Sequence, residues 1–413
     1  MSNLRIDGDR LWDSIHETAV FGGTPDGGVK RLTLSQEDRK VREWFKSQCE
    51  QLGCRVSIDE VGNMFALRPG LDDNLAPIAI GSHLDTQPTG GKFDGILGVL
   101  AGLEIIRVLH DADYHTRHPL ILVNWTNEEG ARFAPAMLGS GVHAGVFDRS
   151  FADSRIDAEG VTFAQAIEAI GYRGPTPLGQ TRFAAMFELH IEQGPVLERE
   201  AIEIGVVTGV QAMRWYDLVI VGREAHAGST PMDMRQDALA DAAQIILAAQ
   251  DVARRHGGLA TTGQITIAAP SRNVIPGHVT LSLDLRHERD GELDAMEREI
   301  ASIIEDRCQS ARATLAPIWK SPAVRFDASC LEAIKKGASA AGASTRNIVS
   351  GAGHDSVYVS RIAPTAMIFI PCLEGLSHNP AESASKKHCT LGAQTLLNAV
   401  LFHDQISADQ GSS

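Results

Sequence analysis

Short uninterrupted apolar runs alternate with longer amphipathic stretches along most of the chain. "APIAIG", "HPLILVNWT", "FAAMFELHI" and "TAMIFIPC" are the length of strands, whereas "GILGVLAGLEIIRVLHD" is long enough for a helix. Ahead of them, "SQEDRKVREWFKSQCEQLG" places Val41, Trp44, Phe45 and Leu52 on one helical face and stops at Gly53, a suitable C-cap. Strands apolar throughout, alternating with helices, predict an α/β domain built on a mostly parallel sheet covered on both faces.

The rhythm changes near residue 209. "RWYDLVIVG", "GQITIAA" and "HVTLSLDLRH" read as strands, and "DALADAAQIILAAQDVARRHG" and "DGELDAMEREIASIIEDRC" as helices. In "VTLSLDLR", Val279, Leu281, Leu283 and Leu285 face one way, and Thr280, Ser282, Asp284 and Arg286 the other. One apolar and one wet face predict an antiparallel sheet backed by two helices, an α+β insertion. From about residue 326, "AIKKGASAAG", "TAMIFIPC" and a final helix resume the first pattern. The expected organisation is a first part of the main domain over 1–208, an inserted lid over 209–325, and a second part over 326–413.

Polar residues at the strand ends carry the chemistry. "GSHLDTQPTGGKFDG" follows "APIAI" and sets His83, Asp85 and Asp94 among glycines. "TNEEGARF" follows the next strand with Glu128 and Glu129; "ELHIEQG" ends a third with His190, Glu192 and Gln193; "EGLSHNPAE" follows a fourth with His378. Each piece has an ordinary explanation as a turn, a solvated surface or an edge strand. Their coincidence does not, because open α/β sheets build their sites at the carboxyl ends of strands.

Imidazoles and carboxylates without thiolate suit Zn²⁺, Mn²⁺, Co²⁺ or Ni²⁺ in a catalytic centre. Two cations sharing one bridging carboxylate fit the count of donors, and Asp94, between Gly90-Gly91 and Gly95, is the natural bridge. Asp85, two residues from His83, is expected to orient that imidazole. Adjacent side chains diverge, so one of Glu128 and Glu129 coordinates while the other takes the proton of an activated water.

Composition narrows the partners. The net charge of −14 disfavours nucleic acid and anionic membrane surfaces as partners, and an anionic substrate then requires a local cation. Six cysteines without a CxxC pair suit reduced thiols in the cytoplasm. No apolar run approaches a membrane span, and the acidic start lacks a secretory signal pattern.

"GSHLDT…GGKFDG", "TNEEGARF", "ELHIEQGPVLE", "GREAHAGSTPM", "RNVIPG", "SGAGHDS" and "SHNPAE" together resemble the zinc-dependent amidohydrolases of the hydantoinase/carbamoylase type, which are related to dinuclear exopeptidases. The resemblance implies two divalent ions per subunit, zinc first. His83 and His190 would hold one, Glu129 and His378 the other, with Asp94 bridging and Glu128 as acid/base. It also implies a homodimer formed through the insertion, with His226 reaching the partner's site to polarise the scissile carbonyl, assisted by Asn273. Arg286 would grip a small substrate's carboxylate, while Gln193 and the turn at Gly353 line the pocket. His354 beside Asp355 reads as structural. The implied reaction is hydrolysis of N-carbamoyl-L-amino acids. Allantoate, N-carbamoyl-β-alanine and dipeptides are the alternative substrates, and a non-catalytic binding module is the remote one.

Overall fold

The computed structural model describes residues 4–308 and 312–410. The chain divides into two compact units, Met1–Gly209 with Phe326–Ser413, and Val210–Arg325.

In the larger unit, four strands lie side by side in the order Leu120–Trp125, Ile78–His83, Ala185–Ile191, Thr365–Ile370. All three neighbouring pairs are parallel. Antiparallel strands flank them, Met64–Arg68 on one side and Ile204–Val210 on the other. Every residue of the four central strands is buried, which is why their sequences are apolar runs without alternation. The predicted helix appears as Ile96–Asp111, buried on nearly all its faces against the strands Ile78–His83 and Ala185–Ile191. Helix Gln36–Gln51 is capped by the Ser35 side chain, buries Val41 and Phe45, and is followed by Gly53 at φ +77°. Parallel pairing puts the carboxyl ends of the four central strands at one edge of the sheet, and these are the ends from which the candidate ligands project.

The smaller unit is a five-stranded antiparallel sheet. Its order is Ile265–Ile267, His278–His287, Ala212–Val221, Arg312–Ser321, with Leu259–Thr261 also paired to His278–His287. Burial alternates along His278–His287 as the sequence requires. Val279, Leu281, Leu283 and Leu285 join a core with helices Ala238–His256 and Asp290–Arg307. Gly257 ends the first helix in the left-handed region, at φ +72°. Strand Arg312–Ser321, which the hydrophobic pattern did not announce, pairs on one side only among the described residues and shifts register at Pro317. A proline bulge on an edge strand breaks the alternation that would mark it. Leu285 is fully buried in this core, so Leu285→Ala is expected to cost about 2–5 kcal/mol, measured by urea unfolding.

All six cysteines are free and buried. No helix among the described residues is long and apolar enough to cross a membrane.

Candidate metal centre

His83 is the last residue of its strand and His190 the next to last of the adjacent one. Both rings are fixed by backbone. His83 Nδ1 donates to the Asp85 carbonyl at 2.9 Å, and His190 Nδ1 to the Ile191 carbonyl at 2.9 Å. A carbonyl can only accept, so each Nδ1 carries a proton and each Nε2 is directed at the centre, the tautomer that metal ligation needs.

Asp94 lies between the two halves of the cluster. Its Oδ1 is 3.2 Å from His190 Nε2 and 3.7 Å from His83 Nε2, while its Oδ2 is 3.5 Å from His378 Nε2. His378 Nε2 in turn lies 3.4 Å from Glu129 Oε2. The donors thus form two groups, His83–Asp94–His190 and Asp94–Glu129–His378, with ligand atoms in each group within 4.8 Å of one another. One carboxylate offers one oxygen to each group, as a bridge between two cations must. A third grouping, Glu188–His190–His354, shares His190. There Glu188 is already engaged by Ser82 and Ser356, and His354 by Ser350.

The paired glutamates diverge. Glu129 accepts from the Gln87 backbone N–H (3.1 Å) and side chain (2.8 Å), which holds it toward His378. Glu128 Oε2 lies 3.4 Å from His83 Nε2 on the other side. Asp85 is tied to this turn rather than to the imidazole. Its carboxylate accepts from the backbone N–H groups of Glu128 and Glu129, both at 3.3 Å, while its Oδ1 stays 3.8 Å from His83 Nδ1. Asp85 therefore orients His83 by its carbonyl and the two glutamates by its carboxylate.

The glycines around Asp94 work differently from the tight bend expected of them. Gly95 does bend, at φ +66°, and a Cβ there would sit 2.2 Å from His83 Nε2. Gly91 has no positive φ; it makes room, since a Cβ would meet the Glu382 carboxylate at 2.2 Å. Three non-glycine residues at or beside the site are also left-handed, Asn127 at φ +60°, Gln193 at +56° and His378 at +56°. Such backbone persists only where the surroundings fix it.

The electrostatics call for cations. Burial, then the charges of Asp355, Glu129, Asp85 and Asp94, pushes the Glu128 carboxyl well up; burial and Asp94 do the same to Glu129. Burial, with Asp38, raises Asp85 to about 7. Asp94 is the exception: against burial, its hydrogen bond and charge pairing with His190 hold it well below the carboxylate range. Burial lowers His83 to about 4, whereas for His190 the Asp94 contact overcomes burial and raises it to about 9. Four carboxylates buried together stay charged only if positive charge joins them. Imidazole Nε2 atoms turned to the same point as these carboxylates indicate that the positive charge is a metal. The donor set fits two divalent ions.

Gln193 donates from Nε2 to Asp94 Oδ2 (2.9 Å) and Ser377 Oγ (3.0 Å), while its Oε1 is buried without a hydrogen-bond partner among the described residues. Gly353 lies over Met137, to which a Cβ would come within 3.1 Å. His354 is buried with its ring 4.6 Å from that of His190, a packing position. Glu192 accepts from the N–H groups of Val196 and Leu197 and caps that short helix. The sequence reading assigned no role to Gln87, Ser377 or Glu382, although Ser377 and Glu382 stand in the "SHNPAE" stretch that it singled out.

In the smaller unit, His226 and Asn273 come together on a two-stranded ribbon, where His226 pairs with Val274 and Ala227 N–H donates to the Asn273 carbonyl at 2.9 Å. His226 Nδ1 accepts from Gly228 and Ser229 N–H (3.1 and 3.2 Å), so its neutral ring carries the proton on Nε2. Asn273 Oδ1 accepts from Ser271 Oγ at 3.0 Å, leaving Nδ2 as its donor. Arg286 forks onto Asp284, two residues away on the same strand face (Nη2–Oδ2 2.7 Å, Nε–Oδ2 3.0 Å).

Residues 79–401 match the model of "Peptidase family M20/M25/M40". The chain belongs to that family. Among its relatives, an N-carbamoyl-L-amino-acid amidohydrolase of Rhizobium meliloti is 45% identical over 97% of each chain. An allantoate amidohydrolase of Bacillus subtilis is 33% identical over 94% of this chain and 95% of its own. A solved structure, an amidase of the hydantoinase/carbamoylase family from Burkholderia multivorans, superposes with a TM-score of 0.94 at 44% identity, covering 97% of this chain and 99% of that one. The mainly parallel sheet and separate antiparallel sheet agree with this fold.

Proposed function

We propose that this chain hydrolyses the carbamoyl C–N bond of N-carbamoyl-L-amino acids, giving the amino acid, ammonia and carbon dioxide. The observation that carries the reading is Asp94, whose two oxygens face two separate ligand groups while Glu128 flanks them on the His83 side. The 45% identical relative named for this reaction supports the substrate class.

His83, His190, Asp94, Glu129 and His378 hold two divalent ions, zinc first, with manganese, cobalt or nickel as substitutes set by availability. When bound, the pair acidifies water and polarises the substrate carbonyl. Glu128 does the proton work: its buried carboxyl takes the proton from the attacking water and hands it to the departing amine. Gln193 offers its unpartnered Oε1 to a ureido N–H, and Gly353 leaves room for the substrate. Arg286 receives the substrate carboxylate by the planar fork that now holds Asp284, so binding requires Asp284 to share or release it. The inserted unit forms a homodimer, through which His226 Nε2–H and Asn273 Nδ2–H act on the oxyanion of the neighbouring subunit's substrate.

The decisive test is turnover of a panel: N-carbamoyl-L-methionine, N-carbamoyl-β-alanine, allantoate and a dipeptide. The carbamoyl α-amino acid is expected to lead in kcat/KM by at least about tenfold, a difference of one well-made contact. Preference for allantoate, the substrate of the Bacillus relative's name, would replace this reading with that one.

A further inference from the structure

Glu382 is nearly fully buried, and it has no part in the reaction described above. Its Oε1 accepts from the backbone N–H groups of Phe93 and Asp94, both at 3.0 Å, across 289 and 288 residues of sequence. The carboxylate sits directly over Gly91, where no side chain would fit. Its Oε2 is 3.3 Å from Ser377 Oγ, and Ser377 donates to Asp94 Oδ2 at 2.7 Å. Between Ser377 and Glu382 the chain folds back on itself, with Glu382 N–H donating to the Asn379 carbonyl at 2.9 Å. The segment thus grips the Asp94 loop at two points and presents His378 from between them.

His378 needs that grip. It lies on a loop rather than at a strand end, its backbone is left-handed, and its side chain is 49% exposed. His83 and His190, by contrast, belong to buried strands and have each ring locked by a carbonyl. We infer that Glu382 is a positioning residue for one half of the centre: it fixes the distance between Asp94 and His378, and with it the affinity of the Asp94–Glu129–His378 group for its cation. The His83–Asp94–His190 group does not depend on it to the same degree. This rests on the two-cation reading of the cluster.

The test is calorimetric titration of metal-stripped full-length protein with Zn²⁺, repeated with Co²⁺ to follow each site by its visible absorption. Wild type is expected to take up two ions. Glu382→Ala is expected to weaken one binding step by about 10–100-fold, the usual effect of removing a group that orients ligands, and to leave the other within about threefold. Glu382→Gln, which keeps an oxygen for the two N–H groups, is expected to recover most of the loss. Thermal unfolding of the metal-free variants controls for folding. Two equal losses in Glu382→Ala, or two unaltered steps, would overturn the inference while leaving the two-cation reading intact. A wild type that binds fewer than two ions would overturn both.

Discussion

Glu128→Gln is expected to lower kcat by about 10²–10⁴-fold, the range for removing a positioned acid/base, while both metal ions remain bound. The amide is nearly isosteric with the carboxylate and can occupy the same place 3.4 Å from His83 Nε2, but it cannot accept a proton from water. Glu129, one residue away, does not replace it, because Gln87 holds that carboxylate toward His378. KM is expected to change much less than kcat, since the contacts proposed for the substrate's carboxylate and ureido group lie on Arg286 and Gln193. Steady-state kinetics with metal analysis on the same sample separates the two effects. Near-normal turnover with two ions bound would remove Glu128 from the chemistry.

Gly95→Ala is expected to abolish activity by another route. A methyl at this position would lie 2.2 Å from the metal-facing nitrogen of His83, and the φ of +66° is one that alanine adopts only with strain. The ring must swing out, or the Asp94 loop must move, and either breaks the group formed by His83, Asp94 and His190. Affinity of that group for a divalent cation is expected to fall by at least about 100-fold, more than removal of an orienting group causes. Circular dichroism should remain that of the folded protein, because Gly95 starts a helix whose buried apolar surface is untouched. An alanine variant that retained two ions at unaltered affinity would mean that His83 is not a ligand.

The layout of the centre was legible because its two signals are local. A fully apolar run identifies a buried strand, and a polar cluster immediately after it identifies the carboxyl end. His83, Glu128 with Glu129, and His190 each stand within four residues of such an end, and parallel pairing did the rest. What supports those ligands was not legible. Glu382 acts on Asp94 from 288 residues away, and no period in the sequence connects them. Gln87 and Ser377 drew no assignment for the same reason. Asp85 shows a subtler limit: its nearness to His83 was visible, but not that its carbonyl would serve the ring and its carboxylate the neighbouring turn. Arg286 and Asp284 were visible on one strand face, yet only coordinates show that the fork is closed on this carboxylate. In the smaller unit, Pro317 hid an edge strand whose partner is otherwise regular.

The order in which the ligands occur along the chain sets a timetable for synthesis. His83, Asp94, Glu128, Glu129 and His190 leave the ribosome within the first half of the polypeptide, but His378 follows roughly 190 residues later, about 10–40 s at ordinary elongation speeds. During that interval a nascent chain has every residue of the His83–Asp94–His190 group but still lacks His378 and, for most of it, strand Thr365–Ile370, against which the His190 strand pairs. On the proposed ligand set, full metallation is therefore a late event, because one member of the Asp94–Glu129–His378 group is supplied only by the closing stretch.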